Sequence, residues 1–131
     1  MLPFSVQFRA GEPAYEQVAL SARRAISSGR LQPGDRFPSV RAMSRELSLT
    51  PVTCQKAVTA LVQEGWLEIQ PGVGAFVRES PTIERDEAAL QLQEPIERLI
   101  IEAKHRGLSR TQLKNAIDAA WKTLEPPNSN A

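Results

Sequence analysis

The spacing of apolar side chains predicts two helices in the first fifty residues of the chain. From Pro13 onward, apolar residues recur at helical intervals between Tyr15 and Ile26, which is typical of a helix with one buried face. A Pro-Gly turn follows, and a short second helix is predicted from about Ser39. Before Pro13, the alternation in PFSVQF predicts a short extended segment. The apolar face of the second helix comprises Val40, Met43 and Leu47.

The stretch LTPVTCQKAVTALVQEGW, residues 49–66, predicts a third helix with a well-defined beginning and end. Thr50 is a suitable N-cap, and Pro51 suits the first helical position, where an N–H would have no partner in any case. Gly65 marks the end of the helix. The side predicted to be buried carries Cys54, Ala57, Val58 and Leu61.

Two short apolar runs, WLEIQ and GAFVRE, follow the third helix with PGVG between them. This pattern predicts a β-hairpin. The order of elements is therefore helix, helix, turn, helix and a two-stranded wing. That order is typical of a winged helix-turn-helix, in which the third helix is presented to the major groove of DNA.

Beyond ESPTIERDE, two apolar stripes predict two further helices that are separated at Gly107. Pro95 lies within the first stripe and predicts a kink or a new helix start there. Ser109 and Gln112 have capping-box spacing at the start of the second helix. The polar sequence EPPNSNA predicts a disordered tail from about residue 125.

The predicted fold class is thus α+β, mainly α. Residues 1–80 form a winged helix-turn-helix domain for DNA binding, and residues 81–131 form a short two-helix C-terminal dimerisation hairpin or effector region. Two helices alone bury little surface, so each stripe needs either the first domain or a second copy of the chain. DNA sites for helix-turn-helix proteins usually consist of two half-sites, which favours a homodimer. The predicted dimerisation residues are Leu92, Ile96, Leu99, Ile100, Leu113, Ile117, Trp121 and Leu124.

Composition and charge restrict the candidate functions. The net charge is +1, so DNA binding has to rest on a local surface and on the fold. A single cysteine excludes an intrachain disulfide, and no signal peptide or membrane-length apolar run is present, so we expect a cytoplasmic protein with no membrane partner. With one histidine, no paired carboxylates in a catalytic setting and no phosphate-binding loop, we expect no enzyme activity, no metal and no cofactor.

Residues 13–77 resemble the GntR family of bacterial transcriptional regulators without a gap. The resemblance is strongest in SGRLQPGDRFPSVR, LVQEGWLE and GVGAFV, which occur in order at the expected spacing. The short C-terminal part, with EAKHRGLSRTQL across the helix junction, is similar to the YtrA-like subfamily, and TPVTC echoes that subfamily's NPNTV. The resemblance implies a homodimeric regulator, usually a repressor, that binds double-stranded DNA at a pseudo-palindromic operator. It also implies control of neighbouring genes, often transporter genes, and leaves open an unidentified small-molecule effector.

One arginine is the best candidate for a DNA contact. Arg41 matches the arginine of the family's PSVR motif, and arginine can pair in bidentate fashion with guanine or with a phosphate. A solvated helix arginine is the structural alternative. The whole predicted DNA-binding set comprises Ser39, Arg41, Thr50, Val52, Thr53, Gln55, Lys56 and Gly72.

The other predicted contacts follow from the resemblance and from side-chain chemistry. Thr50 caps a helix whose N-terminus favours a phosphate, Thr53 matches the threonine of the family's NTV, and Lys56 suits a phosphate. Many family members have arginine where this chain has Pro51 and Gln55, which makes the third helix less basic than usual.

Base contacts and wing contacts complete the set. Val52 suits contact with a thymine methyl group, and Gln55 suits adenine. Gly72 lets the wing backbone approach DNA, although a glycine needed only for the turn is the alternative.

Two other interpretations compete with this one. The low net charge and the missing recognition-helix arginines leave room for a protein-interaction module on the same fold. Cys54 raises the question of a redox sensor, but a thiol in place of an apolar core residue favours simple packing.

Overall fold

In a computed structural model of the protein, residues 1–79 and 84–125 are described. They form two compact units, of which the first contains three helices and a hairpin and the second contains two helices. The predicted order of elements and the fold class are confirmed. The predicted boundary after residue 80 falls at residues outside the described ranges and stays a prediction. The elements are α1 (Ala14–Ser27), α2 (Val40–Leu47), α3 (Pro51–Gln63), β1 (Leu67–Gln70), β2 (Gly74–Val77), α4 (Arg85–His105) and α5 (Arg110–Thr123).

Helix α3 lies at the centre of the first unit, where it packs against α1, α2 and β1. The four residues of its predicted inner face are all buried, as the helical spacing requires. Upstream of α1, Phe4 is buried and its ring stacks on Phe37 with the centroids 5.8 Å apart. Phe8, the last apolar residue of the extended segment, is exposed instead. The largest fully buried side chains are Met43, Leu61, Leu67, Val18, Val77 and Cys54.

The connection between α2 and α3 is tight and well bonded. Ser48 has a positive φ of 54°, a conformation in which a short polar side chain is tolerated better than most. The Ser44 hydroxyl donates to the Leu49 carbonyl at 2.5 Å, and the Leu49 N–H donates to the Ser44 carbonyl at 3.2 Å. These bonds set the direction in which α3 leaves α2.

The wing is an antiparallel hairpin in which Leu67 pairs with Val77 and Gln70 pairs with Gly74. The chain segment before α2 lies along the other side of β2 and extends the pairing. There the Gly34 N–H donates to the Val77 carbonyl at 2.9 Å and the Phe37 N–H donates to the Ala75 carbonyl at 2.8 Å. The sequence pattern predicted the hairpin but not this additional pairing.

The second unit consists of α4 and α5. Helix α4 runs without interruption past Pro95, so the predicted alternative of a new helix start there is wrong. Proline removes only one intrahelical hydrogen bond, and the helical turns on both sides continue. The predicted capping box is confirmed, because the Ser109 N–H donates to Gln112 Oε1 at 2.8 Å and the Gln112 N–H donates to Ser109 Oγ at 3.1 Å.

Most apolar side chains of the second unit are exposed. Ala103 is its only buried residue in the described part of the chain, and the Trp121 side chain is 69% exposed. The apolar stripes predicted for α4 and α5 are therefore solvent-exposed in the single chain. The tail predicted to be disordered begins near residue 125, and residues 126–131 lie outside the described ranges.

We expect Leu61→Ala to lower the free energy of unfolding by about 2–5 kcal/mol, because it opens a cavity in a close-packed core. Leu61 has no exposed surface, whereas Leu20 on α1 is 40% exposed. Leu20→Ala is therefore the matched control and should cost much less. Urea denaturation followed by circular dichroism measures both, and equal losses would contradict the central position of α3.

Candidate nucleic-acid interface

Three neighbouring features of the first unit form the candidate interface, which we call the recognition surface. They are the exposed side of α2 from Ser39 to Arg45, the exposed side of α3 from Thr50 to Thr59, and the wing turn between β1 and β2. All of them belong to elements joined through the same core or through β-pairing. The core therefore fixes their relative positions, as an interface that reads a rigid duplex requires.

The N-terminus of α3 is closed by a threonine pair. Thr50 Oγ1 accepts from the Thr53 N–H at 3.3 Å and lies 2.9 Å from Thr53 Oγ1, which confirms Thr50 as the N-cap. Thr50 is exposed and Thr53 is half-buried. The positive end of the helix dipole is thus accessible beside two hydroxyl groups, a combination that favours an anion.

The exposed face of α3 carries Val52, Gln55 and Thr59 at positions i, i+3 and i+7. The Val52 side chain is 77% exposed although it is apolar. Gln55 Nε2 donates to Thr59 Oγ1 at 3.4 Å, which orients the carboxamide along the helix. This face offers a methyl surface and an amide but no charge.

Lys56 lies on the flank of α3 that faces α1. Its ammonium is 4.3 Å from the centroid of the Tyr15 ring, a distance typical of a cation–π interaction. The predicted phosphate contact of Lys56 therefore competes with a contact inside the protein. Helical spacing alone did not reveal this, since Tyr15 is on another helix.

An open groove of about 550 Å³ separates α2 from the start of α3. Arg41 and Arg45 are one helical turn apart and both are exposed. Ser39, by contrast, uses its hydroxyl to cap α2, where Oγ accepts from the Ala42 N–H at 3.1 Å. Sequence reasoning selected Arg41 but not Arg45, although their i, i+4 spacing places them on one face. The groove is lined by Val40, Arg41, Ser44, Arg45 and Pro51.

The wing turn has an exposed and mostly apolar tip. Gly72 has a φ of 77°, and the Val73 N–H donates to the Gln70 carbonyl at 3.0 Å. With Pro71 before a glycine of positive φ, this is the arrangement of a type II turn. Val73 is 51% exposed. Arg36, which lies outside the predicted DNA-binding set, donates from Nη2 to the Val73 carbonyl at 2.7 Å.

Cys54 is fully buried on the inner side of α3. Burial raises the pKa of its thiol above the ordinary value, because the charged thiolate is poorly solvated there. The complete burial of Cys54 confirms the core position expected for it, and it differs from the exposed, low-pKa thiol that redox sensing requires.

Residues 1–79 and 84–125 contain neither a metal-binding cluster nor a membrane-spanning helix. No group of three metal-ligating side chains occurs among them. No helix in the described part of the chain has the length and apolar character needed to cross a membrane.

Comparison with known proteins identifies similar sequences along most of the chain. The sequence profile of "Bacterial regulatory proteins, gntR family" matches residues 14–77. The chain is 30% identical to the HTH-type transcriptional repressor YtrA of Bacillus subtilis (strain 168), over 83% of this chain and 85% of that protein. It is 28% identical to the uncharacterized HTH-type transcriptional regulator YhcF of the same organism, over 85% of this chain and 92% of that protein.

Solved structures also match. A transcriptional antiterminator from Listeria monocytogenes EGD-e has a TM-score of 0.78 over 98% of this chain and 97% of its own, and at 18% identity it supports the fold alone. YtrA from Sulfolobus acidocaldarius, a GntR-family transcription factor, is 28% identical with a TM-score of 0.54 over 88% of this chain and 94% of its own. AraR(DBD) in complex with operator ORX1 is 27% identical with a TM-score of 0.52 over 56% of this chain and 94% of its own.

Substitutions at Thr50 should separate the cap from the anion site. We expect Thr50→Ala to lower the free energy of unfolding by about 1 kcal/mol, because the Thr53 N–H loses its acceptor. Thr50→Asp should retain the stability, since a carboxylate is an equally good cap, yet weaken DNA binding by about tenfold or more through repulsion of phosphate. Urea unfolding and fluorescence anisotropy with labelled duplex measure the two effects. Unchanged DNA binding in Thr50→Asp would remove the anion site at this helix end.

Proposed function

The chain belongs to the gntR family of bacterial regulatory proteins, and on that premise we propose that it is a homodimeric repressor that binds a pseudo-palindromic operator. It is a DNA-binding transcription regulator. In the proposal it acts in the cytoplasm on a neighbouring operon, with transporter genes as candidates. The observation that carries the proposal is the capped, exposed end of α3 beside the two-arginine groove. The repressor assignment is supported by the similarity to YtrA.

Arg41 is the proposed principal reader of the operator. Its side chain is exposed at the rim of the groove between α2 and α3, and among the described residues no carboxylate forms an ion pair with it. A guanidinium in that state has its whole donor fork available for guanine or for a phosphate. Arg45, one turn further along α2, adds a second positive charge to the same groove.

The exposed face of α3 is the proposed reader of A·T pairs. Val52 presents methyl groups that suit a thymine methyl, and Gln55 presents an amide that can bond adenine at two atoms. The hydrogen bond to Thr59 restricts the carboxamide before DNA arrives, which lowers the entropy cost of that contact. Thr50 and Thr53 at the helix N-terminus, with Ser39 and the Gly72 backbone at the edges, position the surface on phosphates.

Lys56 is proposed to contribute less to DNA affinity than Arg41. Its ammonium contacts the Tyr15 ring in the free protein, and a move to a phosphate would exchange one favourable contact for another. The net gain in affinity from Lys56 is therefore smaller than that from an unpaired cation.

Dimerisation is proposed through the second unit. The apolar stripes of α4 and α5 stay largely exposed in the single chain, and water contact with so many large apolar side chains is costly. A second copy would cover identical stripes by symmetry and would place two recognition surfaces on two half-sites. The residues proposed to form this interface are Leu92, Ile96, Leu99, Ile100, Leu113, Ile117, Trp121 and Leu124.

The operator contact is tested by selecting bound fragments from the genome that encodes the protein. We expect the wild type to enrich a pseudo-palindrome near its own gene at physiological salt. Arg41→Ala should then bind that fragment about 10- to 100-fold more weakly, because one bidentate contact is lost. Anisotropy titrations measure the difference.

Arg24→Ala is the matched control for Arg41→Ala, because it removes the same charge from the exposed side of α1. It should leave affinity nearly unchanged. An equal effect of both substitutions would mean that Arg41 acts through bulk charge alone. The absence of any enriched fragment would count against the proposed regulator itself.

A charge placed in the α4 stripe should separate the dimer. Ile96 is 50% exposed in the single chain, and in a dimer Ile96→Glu would bury an unpaired carboxylate. We expect Ile96→Glu to be monomeric by sedimentation at micromolar concentration, with its helix content unchanged. Lys104→Glu, which introduces the same side chain off the stripe, should remain dimeric. A wild type that sediments as a monomer would contradict the proposed interface.

A further inference from the structure

Arg36 links two parts of the first unit that are far apart in the sequence. Its Nη2 donates to the Val73 carbonyl, 37 residues further along the chain, at 2.7 Å. Its backbone forms an isolated bridge with Phe76. The guanidinium also lies against Gly74, where an added Cβ would be only 3.3 Å from Nε and Nη2. The side chain is thus held at the wing turn by its bond to Val73 and lies beside Gly74, while the backbone bridge holds the segment that carries it.

The positive charge of Arg36 is not neutralised inside the protein. The side chain is exposed, and within residues 1–79 and 84–125 no carboxylate lies at ion-pair distance from it. The neighbouring Asp35 carboxylate accepts from the Gln32 N–H at 2.8 Å instead. The bond to Val73 occupies one N–H of the guanidinium, and the group carries several more.

The wing turn itself supplies no charge. Between the paired ends of β1 and β2 it consists of Pro71, Gly72 and Val73, which present apolar surface and backbone. Any electrostatic attraction between this turn and a polyanion must therefore come from a residue elsewhere in the chain. Arg36 is placed there by its bond to the turn.

We propose that Arg36 is the cation through which the wing contacts DNA. Its guanidinium holds the turn by donating to the Val73 carbonyl, and it donates its remaining N–H groups to a backbone phosphate of the operator. This inference rests on the proposed DNA-binding function. The planar guanidinium suits both tasks, because its donors point in several fixed directions within one plane. Since the bond to Val73 already restricts the side chain in the free protein, less rotamer freedom is lost when the phosphate binds.

The salt dependence of binding tests the phosphate contact. The slope of log K against log salt is negative, and each lost phosphate contact reduces its magnitude by about 0.9. A dimer loses two such contacts, so Arg36→Gln should reduce the magnitude by about 1.8. The ratio of wild-type affinity to Arg36→Gln affinity should then be about tenfold smaller at 200 mM salt than at 50 mM salt. Arg36→Lys keeps the charge and should keep the wild-type slope. The probe is a duplex recovered by the wild type from a random-sequence library.

Two further measurements separate contact from architecture. Arg24→Gln removes the same charge from α1 and should leave the slope unchanged. Amide hydrogen exchange at residues 72–74 of the free protein reports the turn, and both Arg36 variants should speed it because the bond to the Val73 carbonyl is lost or weakened. These expected results together support a contact that also holds the turn.

Several outcomes would overturn the inference. If Arg36→Gln and Arg36→Lys weaken binding equally with an unchanged slope, Arg36 only holds the turn. If neither variant changes affinity, the wing does not use this cation. A wild type that binds no duplex would instead remove the proposed function, and the inference with it, so the two failures are distinguishable.

Discussion

The burial of the inner face of α3 is the constraint on which the rest of the first unit depends. Cys54, Ala57 and Leu61 have no exposed surface, and α1, α2 and β1 all pack against this helix. Because successive residues of a helix turn by a fixed angle, the burial of one side displays the opposite side. Val52 and Gln55 face solvent for that reason. Cys54 and Ala57 are small and fully buried, so a larger side chain at either position would push the neighbouring helices apart and displace the recognition surface.

The recognition surface is held together by polar contacts at the ends of elements. The Ser44 hydroxyl and the left-handed Ser48 set the exit from α2, and Thr50 sets the entry into α3. The segment before α2 pairs with β2, and Arg36 bonds the turn at its tip. The two helices and the wing therefore share one bonded backbone framework. This rigidity suits readout of a duplex, where a small misplacement forfeits the directional contacts to base edges.

The net charge of +1 is compatible with binding a polyanion if the unpaired cations lie where the proposal needs them. Arg23, Arg98 and Arg106 are each paired with a glutamate. Arg41 on the recognition surface and Arg36, which bonds the wing turn, have no carboxylate partner among the described residues. The net charge of the whole chain therefore does not describe the local charge of any one surface. The same division applies to apolar surface, because the first unit buries its stripes within itself while the second leaves them for a proposed partner copy.

The sequence by itself determined the three helices of the first unit, their buried faces, the Thr50 cap and the hairpin, because periodicity and capping act over a few neighbouring residues. It also identified the family, through motifs that are contiguous. Only the tertiary structure decided that Lys56 rests on Tyr15, that Arg36 reaches Val73, that the segment before α2 pairs with β2 and that α4 continues past Pro95. The first three contacts join positions tens of residues apart, so no local pattern encodes them. Whether α4 continues at Pro95 depends on whether the stability of the helical turns on both sides exceeds the cost of one missing hydrogen bond. The spacing of apolar residues does not determine that difference in free energy.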